Sequence, residues 1–432
     1  MDIDLKEVIN LYNSGKLDIA EKKIIKLIGN YPNNFILHNL LGVMLAGQEK
    51  LDEAIVNYKK SIQINSNYFE AYNNLGGALF KLRKFNESID VLLQAIKINP
   101  NFSESYYNLG NTFYKIKKFN ESITNYQRAI KIDPNYAKAF NNLGNAFHEI
   151  GKLNDSIKSY QKAIQINPNF ADACFNLGSR LKQINEFDEC IKYYKHVIRT
   201  NPNFEKAYSN LGNLFINIGK IDEAKKYFHK LININPNNVG YKINNSLLLN
   251  PIVQSTEEIN LHHDRYTKNL EIIKKFRYET DMPGELIETN FFYLAFHNKE
   301  DIKLMKKISK TFKQIIPNIN YVSKNINKKI KNEKIKIGFV SEFFGNHTIG
   351  KLFGGLIKKI DRKKFEVVVI LTSKLKININ ANKVISLNLK IKEQQQQVEK
   401  ENLDIIFYPE IAMSSITYFL AFARLAPVQI VS

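Results

Sequence analysis

Residues 103–136 read SESYYNLGNTFYKIKKFNESITNYQRAIKIDPNY, and the fold of the first half of the chain follows from how this stretch recurs. Within it Tyr106, Leu109, Gly110 and Phe113 stand at helical spacing, and Ser122, Tyr126 and Ala129 do so again, so the stretch reads as two amphipathic helices. Gly110 and Ser122 are small, which predicts that the two helices approach closely there. Tyr126 is expected to fill the gap against the next unit. Asp133-Pro134 ends the second helix, because the proline ring disfavours helical geometry at the residue before it.

The same signals recur every 34 residues. Glycines stand at Gly42, Gly76, Gly110, Gly144, Gly178 and Gly212, each preceded by a leucine, and prolines at Pro32, Pro100, Pro134, Pro168, Pro202 and Pro236, with Ser66 in the one gap. Seven units fit: 1–34, 35–68, 69–102, 103–136, 137–170, 171–204 and 205–238. The first has Val8 in place of the glycine, which suits a terminal capping unit. One helix pair cannot bury its apolar face alone, so such units stack into a solenoid. The pattern resembles the tetratricopeptide repeat, which implies a right-handed α-solenoid over residues 1–238.

A second periodicity runs beside the first. Asn74, Asn108, Asn142, Asn176 and Asn210 all occupy the sixth place of their units, away from the Leu/Gly packing face. A carboxamide both donates and accepts, so a row of them could hold the backbone of an extended acceptor peptide without reading its side chains. Each contact is worth only about 1 kcal/mol net, so several must act together.

Composition narrows the function. The charge of +20 comes from lysines spread over both halves, which predicts a solvated basic surface and places nucleic acid last among partners. The start, MDIDLKEVIN, has no apolar run, and the most apolar stretch, 416–431, is broken by Arg424 and Pro427, so neither a secretory leader nor a membrane span is expected. Cys174 and Cys190 offer neither a disulfide framework nor a metal spacing and are expected to be packing residues in a reducing, cytoplasmic protein. His148, His196 and His229 share no place in their units and are expected to be structural or solvated.

Beyond Asn238 the period is lost. Residues 239–333 read as a mainly helical join, with a capping box at Ser255 and Glu258, surface or interface histidines at His262 and His263, an apolar NFFYLAFH at 290–297 and a charged linker at 324–334. From 334 to 432 short apolar runs at 335–341, 366–371, 384–389, 404–409 and 428–432 alternate with helices near 348–360, 391–402 and 414–425. That alternation predicts a parallel sheet in a partial, Rossmann-like α/β lobe. The glutamines 394–397 read as a solvated helix face.

The segments IGFVSEFFGNHTIGKLFGGLIKKIDRKKFEVVV and DIIFYPEIAMSSITYFLAFARLAPVQIVS resemble the amino-terminal catalytic lobe of the O-linked N-acetylglucosamine transferase family, glycosyltransferase family 41, with its SPINDLY-like and bacterial members. The resemblance implies a GT-B-type, metal-independent enzyme that transfers a sugar from a nucleotide-sugar donor, UDP-N-acetylglucosamine, to Ser/Thr of proteins held by the repeats, with no cofactor beyond that co-substrate. His347 matches the family's histidine after the first strand, placed near the acceptor and the diphosphate. The turn where it sits offers the free N–H groups of a helix start to an anion, and Glu342 and Glu410 are further pocket candidates. The family's second lobe, which makes most donor contacts, has no counterpart in these residues, so the 432 residues by themselves are expected to be inactive. The alternative is a non-catalytic scaffold for protein–protein interaction; dimerisation through the repeats is left open.

Overall fold

A computed structural model describes residues 2–248, 255–283, 302–327, 334–345, 347–372, 377, 379–388, 390–409 and 415–431. It forms two compact units, Met1–Pro202 and Asn203–Ser432.

The first unit is a run of helix pairs: α1 (Asp2–Asn13) and α2 (Leu17–Asn30), α3 (Phe35–Gly47) and α4 (Leu51–Ile64), α5 (Phe69–Lys81) and α6 (Phe85–Ile98), α7 (Ser103–Lys115) and α8 (Phe119–Ile132), α9 (Ala137–Glu149) and α10 (Leu153–Ile166), α11 (Ala171–Gln183) and α12 (Phe187–Thr200). The close approach predicted within each pair is present. A Cβ added to Gly110 would lie 2.7 Å from the Tyr126 ring, and Ser122 Oγ donates to the Gly110 carbonyl at 2.9 Å. Tyr126 also packs on Leu143 and Ala146 of the next repeat, as its expected gap-filling role requires. One ring thus couples its own hairpin to its neighbour.

The turn inside each pair is a Schellman closure. Lys117 sits at φ 63°, its N–H meets the Tyr114 carbonyl at 3.0 Å, and the Lys118 N–H meets Phe113 at 2.9 Å. The fifteenth place takes this left-handed conformation in each of the six repeats, as Gly15, Glu49, Arg83, Lys117, Gly151 and Asn185. Between repeats, the residue before the proline folds its side chain back on the turn: Asp133 Oδ1 accepts from the Asn135 N–H at 3.0 Å.

The second unit begins with the seventh repeat, α13 (Glu205–Asn217) and α14 (Ile221–Ile234), and continues through α15 (Val239–Ser246), α16 (Thr256–Ile273) and α17 (Ile302–Ile315). Ser255 caps α16 as the capping box predicts, its Oγ accepting from the Glu258 N–H at 3.1 Å. Then follow β1 (Ile335–Ser341), α18 (Thr348–Lys359), β2 (Phe365–Leu371), β3 (Lys383–Ser386), α19 (Ile391–Lys400), β4 (Ile405–Tyr408), α20 (Ser415–Leu420) and β5 (Val428–Val431). The five strands are all parallel, in the order β3-β2-β1-β4-β5, with Phe339 of β1 opposite both Val369 and Phe407. Phe339, Val367 and Val369 face one apolar layer, and Val340, Val368 and Ile370 the other. Burial on both faces explains why these strands read as unbroken apolar runs.

Three expectations for this unit are corrected. Gln394 and Gln395 are buried, not solvated: Gln395 Nε2 donates to the Asn318 carbonyl at 3.0 Å and Gln394 Nε2 to the Asn388 carbonyl at 2.7 Å. Chain reversals on either side of α19 leave carbonyls that only long amides reach. His262 is also buried, in the second turn of α16 on the face that carries Tyr266 and Leu270, with its Nε2 3.6 Å from Glu258 Oε1. The expected linker from Lys324 begins as a stitched turn instead. Glu399 accepts from Tyr321 Oη at 2.7 Å and from the Lys324 N–H at 2.8 Å, and the Ser323 N–H donates to the Arg424 carbonyl at 2.7 Å. The NFFYLAFH stretch lies outside the described residues.

Candidate functional site

The first helices α3, α5, α7 and α9 lie side by side and share one face. On it the sixth-place asparagines are half-buried, and each turns its amide back to the preceding repeat. Asn74 Nδ2 donates to Asn39 Oδ1 at 3.0 Å, Asn108 Nδ2 to Asn73 Oδ1 at 3.0 Å, and Asn176 Nδ2 to Asn141 Oδ1 at 3.0 Å. Asn142 Nδ2 donates to Asn111 Oδ1 at 2.9 Å and to Tyr107 Oη at 3.2 Å. Asn210 occupies the same place on α13 of the second unit, also half-buried. In Asn74, Asn108, Asn142 and Asn176 the amide nitrogen thus bonds inside the solenoid, which holds each side chain in one orientation.

A second set of residues completes this network. Asn111 Oδ1 also accepts from Tyr126 Oη at 2.8 Å, and Asn145 Oδ1 accepts from both Tyr160 Oη at 2.7 Å and Asn176 Nδ2 at 3.3 Å. Each link runs from the interlocking tyrosine, through an asparagine at the ninth place, to the sixth-place asparagine of the next repeat. Asn111 and Asn145 stand one 34-residue step apart in the sequence, with Asn213 in register beyond Ser179, and could have been read there; their role depends on hydroxyls that only the packed tyrosines supply.

Where the links are densest the face opens into a cavity of about 310 Å³ lined by Phe80, Asn111, Tyr114, Lys115, Tyr126, Asn142 and Asn145. Beside it Arg180 stands at the tenth place, where the three preceding repeats carry Ala78, Thr112 and Ala146. Its guanidinium meets the His148 ring, while its Nε is buried with no hydrogen-bond partner. Burial and then the Arg180 charge hold the His148 imidazole below its usual pKa. The structural reading of His148 and His196 holds: His196 Nε2 bonds the Pro168 carbonyl at 3.0 Å. Cys174 and Cys190 are buried free thiols, each pushed up to about 11 by burial.

In the second unit, His347 caps α18. Its Nδ1 accepts from the Ile349 N–H at 3.2 Å and its ring lies 4.7 Å from that of Phe343, with the side chain exposed. With Nδ1 accepting, the neutral ring carries its proton on Nε2. The turn before it is tight: a Cβ on Gly350 would lie 2.5 Å from the Gly345 carbonyl oxygen. Glu342 follows β1 and is half-buried; Glu410 lies outside the described residues. Among the described residues no helix is long and apolar enough to cross a membrane.

A TPR repeat model matches residues 42–83, 78–117, 110–151 and 144–183, and tetratricopeptide repeat models match 171–204 and 205–238. No curated protein matches the chain. Among solved structures it is similar to MamA, with 30% identity over 38% of this chain and 95% of that one, at a TM-score of 0.36. It is similar to YrrB, described as a TPR protein with an unusual peptide-binding site, with 20% identity over 43% of this chain and 95% of that one, at a TM-score of 0.35. It is also similar to a mutant O-GlcNAc transferase of Thermobaculum terrenum, with 14% identity over 68% of this chain and 50% of that one, at a TM-score of 0.46. Residues 42–238 are thus tetratricopeptide repeats, and the chain is a tetratricopeptide-repeat protein suited to protein–protein interaction.

Proposed function

We propose that the protein is a scaffold whose first-helix face holds an extended segment of a partner protein. The observation that carries this reading is the cavity among Phe80, Tyr114, Asn142 and Asn145, where carboxamides held by neighbouring repeats border the rings of Phe80, Tyr114 and Tyr126 and the Lys115 ammonium. Asn142 Nδ2 spends both donors inward, and its Oδ1, which accepts from Asn141 Nδ2 at 3.1 Å, keeps a second lone pair for a partner's backbone N–H. The rigid network removes the entropy a free amide would lose on binding. The test is a peptide array probed with the full chain. Phe80→Ala with Lys115→Glu should abolish most of the captured spots while thermal unfolding stays in place. Identical spots from the folded variant would sink the reading.

A second reading is sugar transfer from UDP-N-acetylglucosamine to Ser/Thr of proteins held on that face. It is supported by a parallel sheet whose strand order reverses beside β1, the arrangement in which Rossmann-like folds bind ligands outside the strand ends. His347 sits there, and its Nε2–H suits donation to an acceptor or phosphate oxygen; proton abstraction at Nε2 would require the opposite tautomer and loss of the cap. Labelled donor incubated with the full chain and array peptides tests it, with His347→Ala as the comparison. If the chain transfers no label, these residues act as a scaffold alone.

A further inference from the structure

The second helices carry a separate groove. It has a volume of about 670 Å³ and lies between the end of α10, the Pro168 turn and α12. Ile164, Pro168, Ile191 and Tyr193 supply an apolar lining, and Lys192, Lys195 and Arg199 stand exposed around it with one acid, Asp188. His196 is fixed within it: Nε2 bonds the Pro168 carbonyl at 3.0 Å, and Arg199 Nη2 donates to Nδ1 at 2.9 Å. Two hydrogen bonds thereby link the Pro168 turn, the imidazole and the guanidinium. At the places of Lys192, Lys195, His196 and Arg199, α10 carries Lys158, Gln161, Lys162 and Gln165, and α8 carries Thr124, Gln127, Arg128 and Lys131. Only α12 of these three fills all four places with basic residues, and they line the groove.

We propose that this groove is a second docking site, for an acidic peptide segment that seats one apolar side chain on Ile164 and Ile191 and sets carboxylates against Lys195 and Arg199. Charge complementarity selects the occupant: Glu189 pairs with Lys192 at 3.4 Å, but Lys195 and Arg199 against Asp188 still leave the groove net positive and favour acid, and the apolar lining favours a peptide over a bare anion. The site uses no residue of the first-helix face and does not rest on the reading proposed for it.

Fluorescence anisotropy on the full chain tests it, with a labelled peptide in which glutamates flank a single leucine. Lys195→Glu with Arg199→Glu should weaken binding about tenfold or more, since a repulsive pair replaces an attractive one. Lys158→Glu with Lys162→Glu, on the neighbouring helix, and Lys115→Glu, on the first-helix face, should leave it within about twofold. Ile191→Gln, which keeps every cation, should weaken the leucine peptide and not an all-glutamate one. Equal losses from the α10 and α12 reversals would overturn the site as mere attraction to a basic protein. An unaffected Ile191→Gln chain would overturn the apolar anchor. Tighter binding of an anionic vesicle or an oligonucleotide, lost in the same α12 variant, would overturn the peptide as occupant.

Discussion

Tyr160 Oη donates to Asn145 Oδ1 at 2.7 Å, and in the seventh repeat the equivalent pair is Phe228 and Asn213, whose buried Oδ1 has no hydrogen-bond partner. Phe228 packs on Gly212 as Tyr160 packs on Gly144, so ring position is conserved between the repeats and only the hydroxyl is missing. Phe228→Tyr should therefore supply the absent donor and raise stability by about 1 kcal/mol. Thermal unfolding reads this directly; an unchanged or lower midpoint would show that the carboxamide already has another means of satisfaction.

Two glycines at adjacent places of their repeats, the eighth of the fifth repeat and the ninth of the third, should respond oppositely to alanine. A Cβ at Gly144 would lie 2.7 Å from the Tyr160 ring, whereas one at Gly77 meets nothing within 4 Å. Gly144→Ala should cost roughly 1–3 kcal/mol through overpacking, and Gly77→Ala should gain up to about 1 kcal/mol from helix propensity. Similar unfolding midpoints for the two variants would contradict the interlock.

Lys117 holds the left-handed place of its turn at φ 63°, where the fifth repeat has Gly151 at φ 76°. Lys117→Gly should stabilise by about 1 kcal/mol, because the Cβ strain of that conformation exceeds the extra entropy of an unfolded glycine. A destabilised variant would mean the strain is already relieved locally.

The glutamine run divides into buried and exposed members. Gln395→Glu would place a carboxylate against the Asn318 carbonyl and should cost about 2–4 kcal/mol, the penalty of an unpaired buried charge or its neutralisation. Gln396→Glu, one residue on and exposed, should be silent. Comparing the two by urea denaturation checks which side of α19 is covered.

His148 gives a pH dependence with a definite sign. Its folded pKa is lowered, first by burial and then by Arg180, so between that value and the usual imidazole range the unfolded chain binds the extra proton. The contribution is complete above the unfolded pKa and is lost as pH falls below it. The midpoint of thermal unfolding should drop between neutral and mildly acidic pH, and His148→Gln should flatten that slope. An equal slope in both would assign the loss to other groups.

The repeat architecture and its turns were legible because they depend on local, periodic constraints. A glycine under a tyrosine, a proline after the second helix and a leucine on the packing face each leave a mark in one residue type at a fixed step. The strands were legible for a related reason: a parallel strand buried on both faces is a short apolar run, and the runs predicted at 335–341 and 366–371 match β1 and β2 to within a residue. The sixth-place asparagines were visible as a row, while the direction of their amides was not. Periodicity places a side chain on a face; which partner takes its donor depends on atoms 31 and 35 residues away, brought close by stacking. The buried glutamines failed for the same reason, since polar composition suggests water and only the crossing of the Asn318 and Asn388 carbonyls over α19 keeps it out. Local sequence determined the elements and their spacing; tertiary structure decided which polar groups face a partner, because hydrogen bonds between distant segments are settled only when the chain has packed.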